Sequence, residues 1–167
     1  MKPLMDYFLD VPIYGSKVFN IIAESKLGED NTQIIENKIE SKESFSGKVL
    51  VAEDNLNNQL LIKIILQKLG LNVTIVENGQ LAVEKYQNEE FDLIFLDINM
   101  PVMDGVTALK HIRDYEIKTQ KKTPIIALTA NAINGDKEKY INEGMDNYLS
   151  KPLERNQLIA ILNLYIK

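Results

Sequence analysis

From residue 48 onward, short apolar runs rich in β-branched residues alternate with longer segments whose apolar residues recur at helical spacing. The short runs predict strands and the longer segments predict helices. The predicted strands are Lys48–Ala52, Val73–Val76, Leu93–Leu96, Pro124–Leu128 and Tyr148–Leu149. Because strands and helices alternate, and because runs such as LIFL and PIIAL are apolar throughout, we expect an α/β fold with a parallel sheet covered by helices on both faces.

Helical patterns lie between and after these strands. The first, Leu56–Leu69, has an apolar face, and Gly70 is placed to end it; that face consists of Leu60, Leu61, Ile64, Ile65 and Leu69. The fourth helix is predicted over Asn131–Asn142. The second, third and fifth helices are indicated by three apolar groups, namely Leu81, Ala82 and Tyr86, then Val106, Leu109, Ile112 and Tyr115, and finally Leu158, Ile161, Leu162 and Tyr165.

The chain before residue 48 has a different pattern. Residues 24–44 carry six acidic residues against three lysines and few apolar residues. Such a composition predicts a solvated linker, which we place over residues 24–47. A short amphipathic helix that lies on the domain is the alternative for this stretch. Residues 48–167 are predicted to form one domain.

Residues 1–23 repeat the pattern of the end of that domain. Met5–Ile13 (MDYFLDVPI) aligns with Met145–Leu153 (MDNYLSKPL), and the apolar positions that follow also agree. One explanation is a chance similarity between two short strand–helix segments. The other is that these residues are the last strand and helix of a preceding, degenerate copy of the domain, cut from a longer protein. In that copy Val11 stands in the place of Lys151, so the charge of the lysine is missing.

Composition and charge narrow the function classes. A net charge of -5 argues against nucleic acid as a direct partner, because no basic stripe is present to neutralise phosphates. The absence of cysteine excludes disulfides and thiolate metal sites. The apolar runs are too short to cross a bilayer, and the N-terminus lacks the layout of a signal peptide. We therefore expect a cytoplasmic protein segment without membrane contact, although the parent protein could be anchored in a membrane.

Charged and hydroxyl side chains follow four of the five predicted strands. Glu53 and Asp54 follow the first strand, Asp97 the third, Thr129 the fourth and Lys151 the fifth. In an open parallel sheet, ligands bind beyond the carboxyl ends of the strands, near the point where the strand order reverses. These five side chains are therefore expected to share one site.

The chemistry of such a site follows from its charges. Three carboxylates that converge would repel each other and raise at least one pKa, unless a cation lies among them. Oxygen ligands without histidine or cysteine favour a hard ion such as Mg²⁺. With its charge offset, a carboxylate of Asp97 could attack phosphorus and form an acyl phosphate, while Thr129 and Lys151 contact the phosphoryl oxygens.

Each of these residues also has a simpler explanation. Asp54 could cap the first helix, although a cap does not explain Glu53 beside it. Thr129 could be a turn hydroxyl, and Lys151 a surface charge. Asp104, at the start of the third helix, is expected to be only a cap. It is the combination at several strand ends that favours a functional site.

Four motifs carry a resemblance to a known family. They are VLVAEDN, DLIFLDINMPVMDG, PIIALTANA and GMDNYLSKPL. With these motifs, residues 48–167 resemble the receiver domain of two-component response regulators, over nearly the whole of that domain. The last two motifs are most similar to receivers attached to hybrid sensor histidine kinases. The resemblance implies a flavodoxin-like, doubly wound sheet of five parallel strands in the order 2-1-3-4-5.

The resemblance also implies a role for each site residue. Asp97 is the phosphoacceptor. Asp54, Asp97 and the backbone carbonyl of Asn99 bind Mg²⁺ directly, and Glu53 acts mainly through water.

The resemblance further implies positions that serve the bound phosphoryl group and the conformational switch. Thr129 and Lys151 bind the phosphoryl oxygens. Tyr148 swings inward as Thr129 shifts, so that it biases the surface of the fourth helix, fifth strand and fifth helix. The Lys151-Pro152 peptide is expected to be cis.

The implied function is a phosphorelay. A phosphoryl group passes from a phosphohistidine of a histidine kinase to Asp97, and then to water or to a histidine phosphotransfer domain. The chain itself is a phosphoacceptor with slow self-dephosphorylation, and a homodimer is left open. His111 is the only histidine and is given no chemical role, and no ATP-binding glycine boxes are present.

Two alternatives remain at this stage. A Mg²⁺-dependent phosphatase of the haloacid-dehalogenase type also uses an aspartate nucleophile, but it needs a second acid where this chain has Asn99. A stand-alone response regulator is the other alternative. A DNA-binding regulator would need an effector domain, which the sequence up to Lys167 does not contain.

Overall fold

The computed structural model describes residues 43–130 and 136–166. Five strands alternate with five helices in this part of the chain. The strands are β1 Lys48–Ala52, β2 Asn72–Val76, β3 Leu93–Asp97, β4 Ile125–Thr129 and β5 Asn147–Ser150. The helices are α1 Leu56–Lys68, α2 Gly79–Asn88, α3 Gly105–Thr119, α4 Asp136–Glu143 and α5 Arg155–Tyr165. The predicted tail at residues 1–23 and residues 24–42 of the predicted linker lie outside the described residues.

All neighbouring strands of the sheet run parallel, in the order β2-β1-β3-β4-β5. The predicted fold class and strand order are therefore confirmed. The register aligns the carboxyl ends of the central strands: Ala52 is opposite Leu96, and Thr129 is opposite Ser150. As a result, the residues that follow β1, β3, β4 and β5 leave the same edge of the sheet.

Apolar side chains pack on both faces of the sheet. On one face, α2, α3 and α4 cover alternate residues of the central strands, such as Leu50, Ile94 and Leu96, and we call this group the first core cluster. On the other face, α1 and α5 cover the intervening residues, such as Val51 and Phe95, and we call this group the second core cluster. Because every residue of β3 is buried, its uninterrupted apolar run fits a strand that is covered on both sides.

The buried side of α1 differs from the apolar face that the sequence predicted. Ile62 and Leu66 face the sheet and are fully buried, together with Leu69 just after the helix. Of the predicted face, Leu69 is buried and Ile65 is half-buried, whereas Leu60, Leu61 and Ile64 are exposed. The helix has apolar residues on two sides, and only the register of its packing on the sheet decides which side is buried.

Most predicted boundaries agree with the structure within a residue or two. The strand predicted at Pro124–Leu128 is displaced by one residue and runs from Ile125 to Thr129. The fourth helix, predicted over Asn131–Asn142, runs from Asp136 to Glu143 in the described residues, and residues 131–135 of the prediction lie outside them. Phe45, within the predicted linker, packs against the second core cluster and donates its N–H to the carbonyl oxygen of Leu69 at 2.7 Å. The described domain therefore includes Phe45.

At Gly105 the start of α3 lies against the backbone at the end of β3. A Cβ atom at this position would lie 2.2 Å from the carbonyl oxygen of Asp97 and 3.0 Å from the Cα of Ile98. Both neighbours are backbone atoms and cannot rotate away. The close approach of the two backbones therefore requires glycine.

We expect Gly105→Ala to lower the free energy of unfolding by about 3 kcal/mol, because the backbone at Asp97 would have to shift. Urea denaturation measures the change. In an ordinary helix position the same substitution raises stability by roughly 0.5–1 kcal/mol, so an unchanged or increased stability would contradict the steric argument.

Candidate functional site

Three carboxylates converge at the carboxyl edge of the sheet. Glu53 and Asp54 follow β1, and Asp97 is the last residue of β3. One carboxylate oxygen from each of the three lies within 4.8 Å of the others. Glu53 and Asp97 are buried, whereas Asp54 is exposed and opens the cluster to solvent. The structure thus brings together the three acids that were predicted to share one site.

Lys151 reaches into this cluster from the segment after β5. Its Nζ lies 2.6 Å from Oε2 of Glu53 and 2.6 Å from Oδ2 of Asp97. Its N–H donates to the carbonyl oxygen of Thr129 at 2.8 Å, which fixes its backbone beside β4. The Lys151-Pro152 peptide is cis, as the resemblance implied. The ammonium group therefore lies between two buried carboxylates.

The pKa values of Asp97 and Lys151 reflect their burial and their contact with each other. Burial raises the pKa of Asp97 above its usual value; the hydrogen bond from Lys151 opposes this rise, and the charge of Glu53 adds to it. Burial alone would lower the pKa of Lys151, but its hydrogen bonds to Asp97 and Glu53 raise it above its usual value. Lys151 is therefore held charged, while ionised Asp97 is disfavoured by its surroundings.

Local hydrogen bonds at the start of α1 position Glu53. Its Oε1 accepts from the N–H of Asn55 at 3.2 Å and from Nδ2 of Asn58 at 3.0 Å. Asn55 is the N-cap of α1, since its side chain accepts from the N–H groups of Asn57 and Asn58. The cap explanation for Asp54 is therefore wrong, and its exposed carboxylate is left at the cluster.

The loop between β3 and α3 follows the acid directly. The N–H of Asn99 donates to Oδ1 of Asp97 at 3.2 Å, and Asp104 caps α3 by accepting from the N–H of Thr107 at 2.7 Å. The predicted cap role of Asp104 is confirmed.

In the middle of the loop, Val102 has a φ of 68° and is exposed. Met103 donates to the carbonyl oxygen of Pro101 at 2.7 Å across it, as in a γ-turn.

Thr129 and Tyr148 lie on adjacent strands, where Tyr148 is opposite Ala127 and Thr129 is opposite Ser150. Thr129 ends β4 and is buried, and Tyr148 in β5 is half-buried against the first core cluster. No role was predicted for Tyr140, yet its hydroxyl lies 3.4 Å from Oγ1 of Thr129. The sequence places Tyr140 only in a predicted helix, so nothing in its local pattern points to this contact.

His111, which was given no chemical role, is exposed on α3.

The donor set fits a hard divalent cation. All three side chains offer carboxylate oxygens, and their spacing lets one ion contact more than one of them. The ammonium of Lys151 shows that the buried acids already accommodate a positive charge. Mg²⁺ uses one or two carboxylates and retains several waters, which suits a site with an exposed acid at its mouth.

Residues 49–163 match the model of the response regulator receiver domain. The chain belongs to this family. Its parallel sheet and the acids at the ends of β1 and β3 are thereby explained as parts of a receiver domain. The family match decides against the haloacid-dehalogenase alternative.

The curated relatives are much longer proteins. The receiver chain is 37% identical to hybrid signal transduction histidine kinase I of Dictyostelium discoideum over 95% of its length, which is 9% of that kinase. It is 41% identical to the sensor protein GacS of Pseudomonas syringae pv. syringae over 71% of its length, which is 13% of that protein. The chain thus spans only a small part of the curated relatives it matches, which are hybrid sensor kinases.

Solved receiver domains share the fold. The receiver domain of a sensor histidine kinase from Pseudomonas aeruginosa PAO1, with magnesium coordinated in its active site cleft, has a TM-score of 0.65 and 41% identity. The match covers 72% of this chain and 97% of that one.

A second match is to the co-crystal structure of the Saccharomyces cerevisiae histidine phosphotransfer protein Ypd1 with the receiver domain of Ssk1. Its TM-score is 0.68 at 32% identity, over 73% of this chain and 90% of the matched chain. Within the described part of the receiver chain, no helix has the length and apolar character needed to span a bilayer.

Proposed function

We propose that this receiver domain accepts a phosphoryl group from a phosphohistidine onto Asp97 in the presence of Mg²⁺. A carboxylate oxygen of Asp97 attacks phosphorus, and a P–O bond forms as the P–N bond to the donor imidazole breaks. The electron pair of that bond stays on the imidazole nitrogen, which takes a proton from solvent. The observation that supports this most strongly is the convergence of Asp97, Glu53 and Asp54 around the ammonium of Lys151.

We assign direct contact with Mg²⁺ to Asp54, Asp97 and the backbone carbonyl of Asn99, and we assign Glu53 to the same site through water. Bound Mg²⁺ would supply positive charge to the attacking carboxylate and to the phosphoryl oxygens. The Oδ1 of Asp97 is oriented by the N–H of Asn99, and its Oδ2 by Lys151. These contacts hold the carboxylate before a donor arrives, and alignment with charge neutralisation is what phosphoryl transfer requires.

Thr129 and Lys151 are assigned to the phosphoryl oxygens. Lys151 already contacts Oδ2 of Asp97, so it can follow the added negative charge with a small displacement. Thr129 is buried one strand away, at the end of β4. Addition of about two negative charges at Asp97 would draw both groups towards it, and Tyr148 would fill the space that Thr129 leaves. The surface of α4, β5 and α5 is then biased towards a second arrangement.

The relatives support a proposal for the cellular context. Since these are hybrid sensor kinases, we propose that the chain is the cytoplasmic receiver segment of such a kinase. The phosphoryl group would then pass to water or to a histidine phosphotransfer domain. Residues 1–23 are proposed to be the end of a preceding, degenerate receiver.

The function is tested with the full chain, Mg²⁺ and acetyl phosphate. Intact-mass measurement should show the gain of one phosphoryl group, and chelation of Mg²⁺ should prevent it. A chain that stays unmodified under conditions in which a known receiver is phosphorylated would refute the proposal.

The partner surface is assigned to the exposed side of α1. Leu56, Leu60, Leu61 and Ile64 are exposed there, and Leu56 is 77% exposed. This side of the helix lies opposite Ile62 and Leu66, which face the sheet. Helix α1 begins directly after Glu53 and Asp54, so its apolar side starts beside the acidic site. A group of exposed apolar side chains on one helix is typical of a surface that a partner covers.

The chemistry of the partner follows from its task. It must bring a histidine to a buried carboxylate, and a helix that carries an apolar stripe beside the histidine could pack along α1. Histidine phosphotransfer proteins fit this requirement, and the similar structure with Ypd1 is a complex of such a protein with a receiver.

We expect Leu60→Glu to slow phosphotransfer by about tenfold, because it places a charge within the covered apolar surface. The donor is a phosphorylated histidine phosphotransfer protein that transfers measurably to the wild-type chain. Phosphorylation by acetyl phosphate should change less than about twofold, since this small donor needs no docking surface. Leu164→Glu is the matched control, because Leu164 is an exposed leucine on α5. Equal slowing by both substitutions would contradict the assignment.

A further inference from the structure

Tyr140 places a second buried hydroxyl beside Thr129. Its oxygen lies 3.4 Å from Oγ1 of Thr129, and either group could be the donor. The Tyr140 side chain is 6% exposed and packs within the first core cluster, with α3 and the central strands. Tyr140 belongs to α4, whereas Thr129 ends β4. The contact therefore connects a proposed phosphoryl-binding residue directly with a helix.

We propose that Tyr140 is a positioning residue that holds the Thr129 hydroxyl in its resting orientation and couples its movement to α4. The proposal rests on the proposed phosphoacceptor function of Asp97. It adds a connection that differs from the one assigned to Tyr148, because Tyr148 lies in β5 and Tyr140 on the helix that covers the sheet.

The physical reason is competition for one hydroxyl group. When Oγ1 of Thr129 turns towards a phosphoryl group on Asp97, it moves out of its resting contact with the Tyr140 oxygen. Both side chains are buried, so solvent does not readily replace the lost contact. The contact is long for an O–H···O hydrogen bond, so its contribution belongs at the weak end of the usual range. The tyrosine thereby opposes the phosphorylated arrangement until α4 adjusts.

Tyr140→Phe tests this step, because phenylalanine keeps the ring in the core and removes only the hydroxyl. Beryllofluoride with Mg²⁺ serves as a stable mimic of the phosphoryl group, and its dissociation constant is measured by calorimetry on the full chain. We expect the variant to bind beryllofluoride about threefold more tightly, since one contact that favours the resting state is gone. Tyr115→Phe is the matched control, because its hydroxyl bonds to the carbonyl oxygen of Gln87.

A double-mutant cycle separates coupling from a general structural effect. In the Thr129→Val background the hydroxyl partner is missing, so Tyr140→Phe should no longer change the affinity for beryllofluoride. The rate of phosphorylation by acetyl phosphate gives the same comparison if binding to the valine variants is too weak for calorimetry. A merely structural role would shift both backgrounds equally.

A measurement on metal-free protein adds an independent readout. The methyl NMR signal of Thr129 should shift in Tyr140→Phe and stay in place in Tyr115→Phe. Unchanged or weakened beryllofluoride binding, an equal effect in both backgrounds, or an unmoved methyl signal would overturn the inference. Failure of the wild-type chain to accept a phosphoryl group would instead refute the proposed function, so the two failures are distinguishable.

Discussion

Replacement of Asp97 by Asn is expected to abolish phosphorylation by acetyl phosphate. The amide has no carboxylate oxygen to attack phosphorus, whereas its size lets it occupy the same position at the end of β3. The initial rate should fall by at least about a hundredfold, as for the loss of a nucleophile. Intact mass after incubation with Mg²⁺ and acetyl phosphate measures the result.

Asp104→Asn is the matched control for this substitution. Asp104 lies in the loop that follows Asp97, and its side chain caps α3. Because Asn is also a good N-cap, the helix should keep its start and the chain should still gain one phosphoryl group. A phosphoryl group that persists in Asp97→Asn and is lost in Asp104→Asn would place the acceptor elsewhere.

Replacement of Asp97 by Asn also has a consequence for stability that depends on pH. The pKa of Asp97 is raised above 3.8 in the folded chain, mainly by burial. The protonated acid therefore favours folding at low pH, and this contribution is lost as the pH rises through the raised pKa. Asp97→Asn should consequently gain stability relative to the wild type as the pH increases, which denaturation in metal-free buffers would show. A constant difference across acidic and neutral pH would contradict the electrostatic account.

Replacement of Asp54 by Ala is expected to lower the affinity for Mg²⁺ by at least about tenfold. Asp54 is the exposed carboxylate of the cluster, so it is the acid that an entering hydrated ion meets first. Phosphorylation should require correspondingly more Mg²⁺. In metal-free buffer the variant should be at least as stable as the wild type, since one source of repulsion with Glu53 and Asp97 is removed.

Thermal unfolding at increasing Mg²⁺ concentration measures this affinity. An ion that binds only the folded chain stabilises it by about 2.7 kcal/mol at a hundred times its dissociation constant. The matched control is Glu77→Ala, because Glu77 is an exposed acid that follows β2 but lies outside the acidic cluster. An equal response of Asp54→Ala and the wild type to Mg²⁺ would exclude Asp54 as a ligand.

The sequence was informative about features that depend only on local pattern and on the topology of parallel sheets. Apolar strands followed by helical patterns determine a parallel sheet, and the carboxyl ends of such strands share one edge. The positions of Glu53, Asp54 and Asp97 at strand ends could therefore be interpreted before any distance was known. The cap role of Asp104 was equally local, because a cap bonds within its own first turn.

Contacts between distant segments could not be predicted in this way. The guanidinium of Arg113 on α3 bonds to Glu116 at 2.6 Å, and also to Asp146 at 2.6 Å and to the carbonyl oxygen of Gly144. This network fixes the turn before β5 to α3, although the sequence shows only scattered charges. It arises because the strand register brings these elements together.

By itself, the sequence determined the fold class, the order in which strands and helices alternate, and which strand ends carry acids. These features depend on periodicity and on near neighbours, both of which a sequence shows directly. Only the tertiary structure decided that Leu60 is exposed on α1 while Ile62 is buried, that Lys151 lies between Glu53 and Asp97, and that Tyr140 meets Thr129. Each of these depends on how a helix or loop packs on the sheet, which is set by the sum of many contacts between residues far apart in the chain.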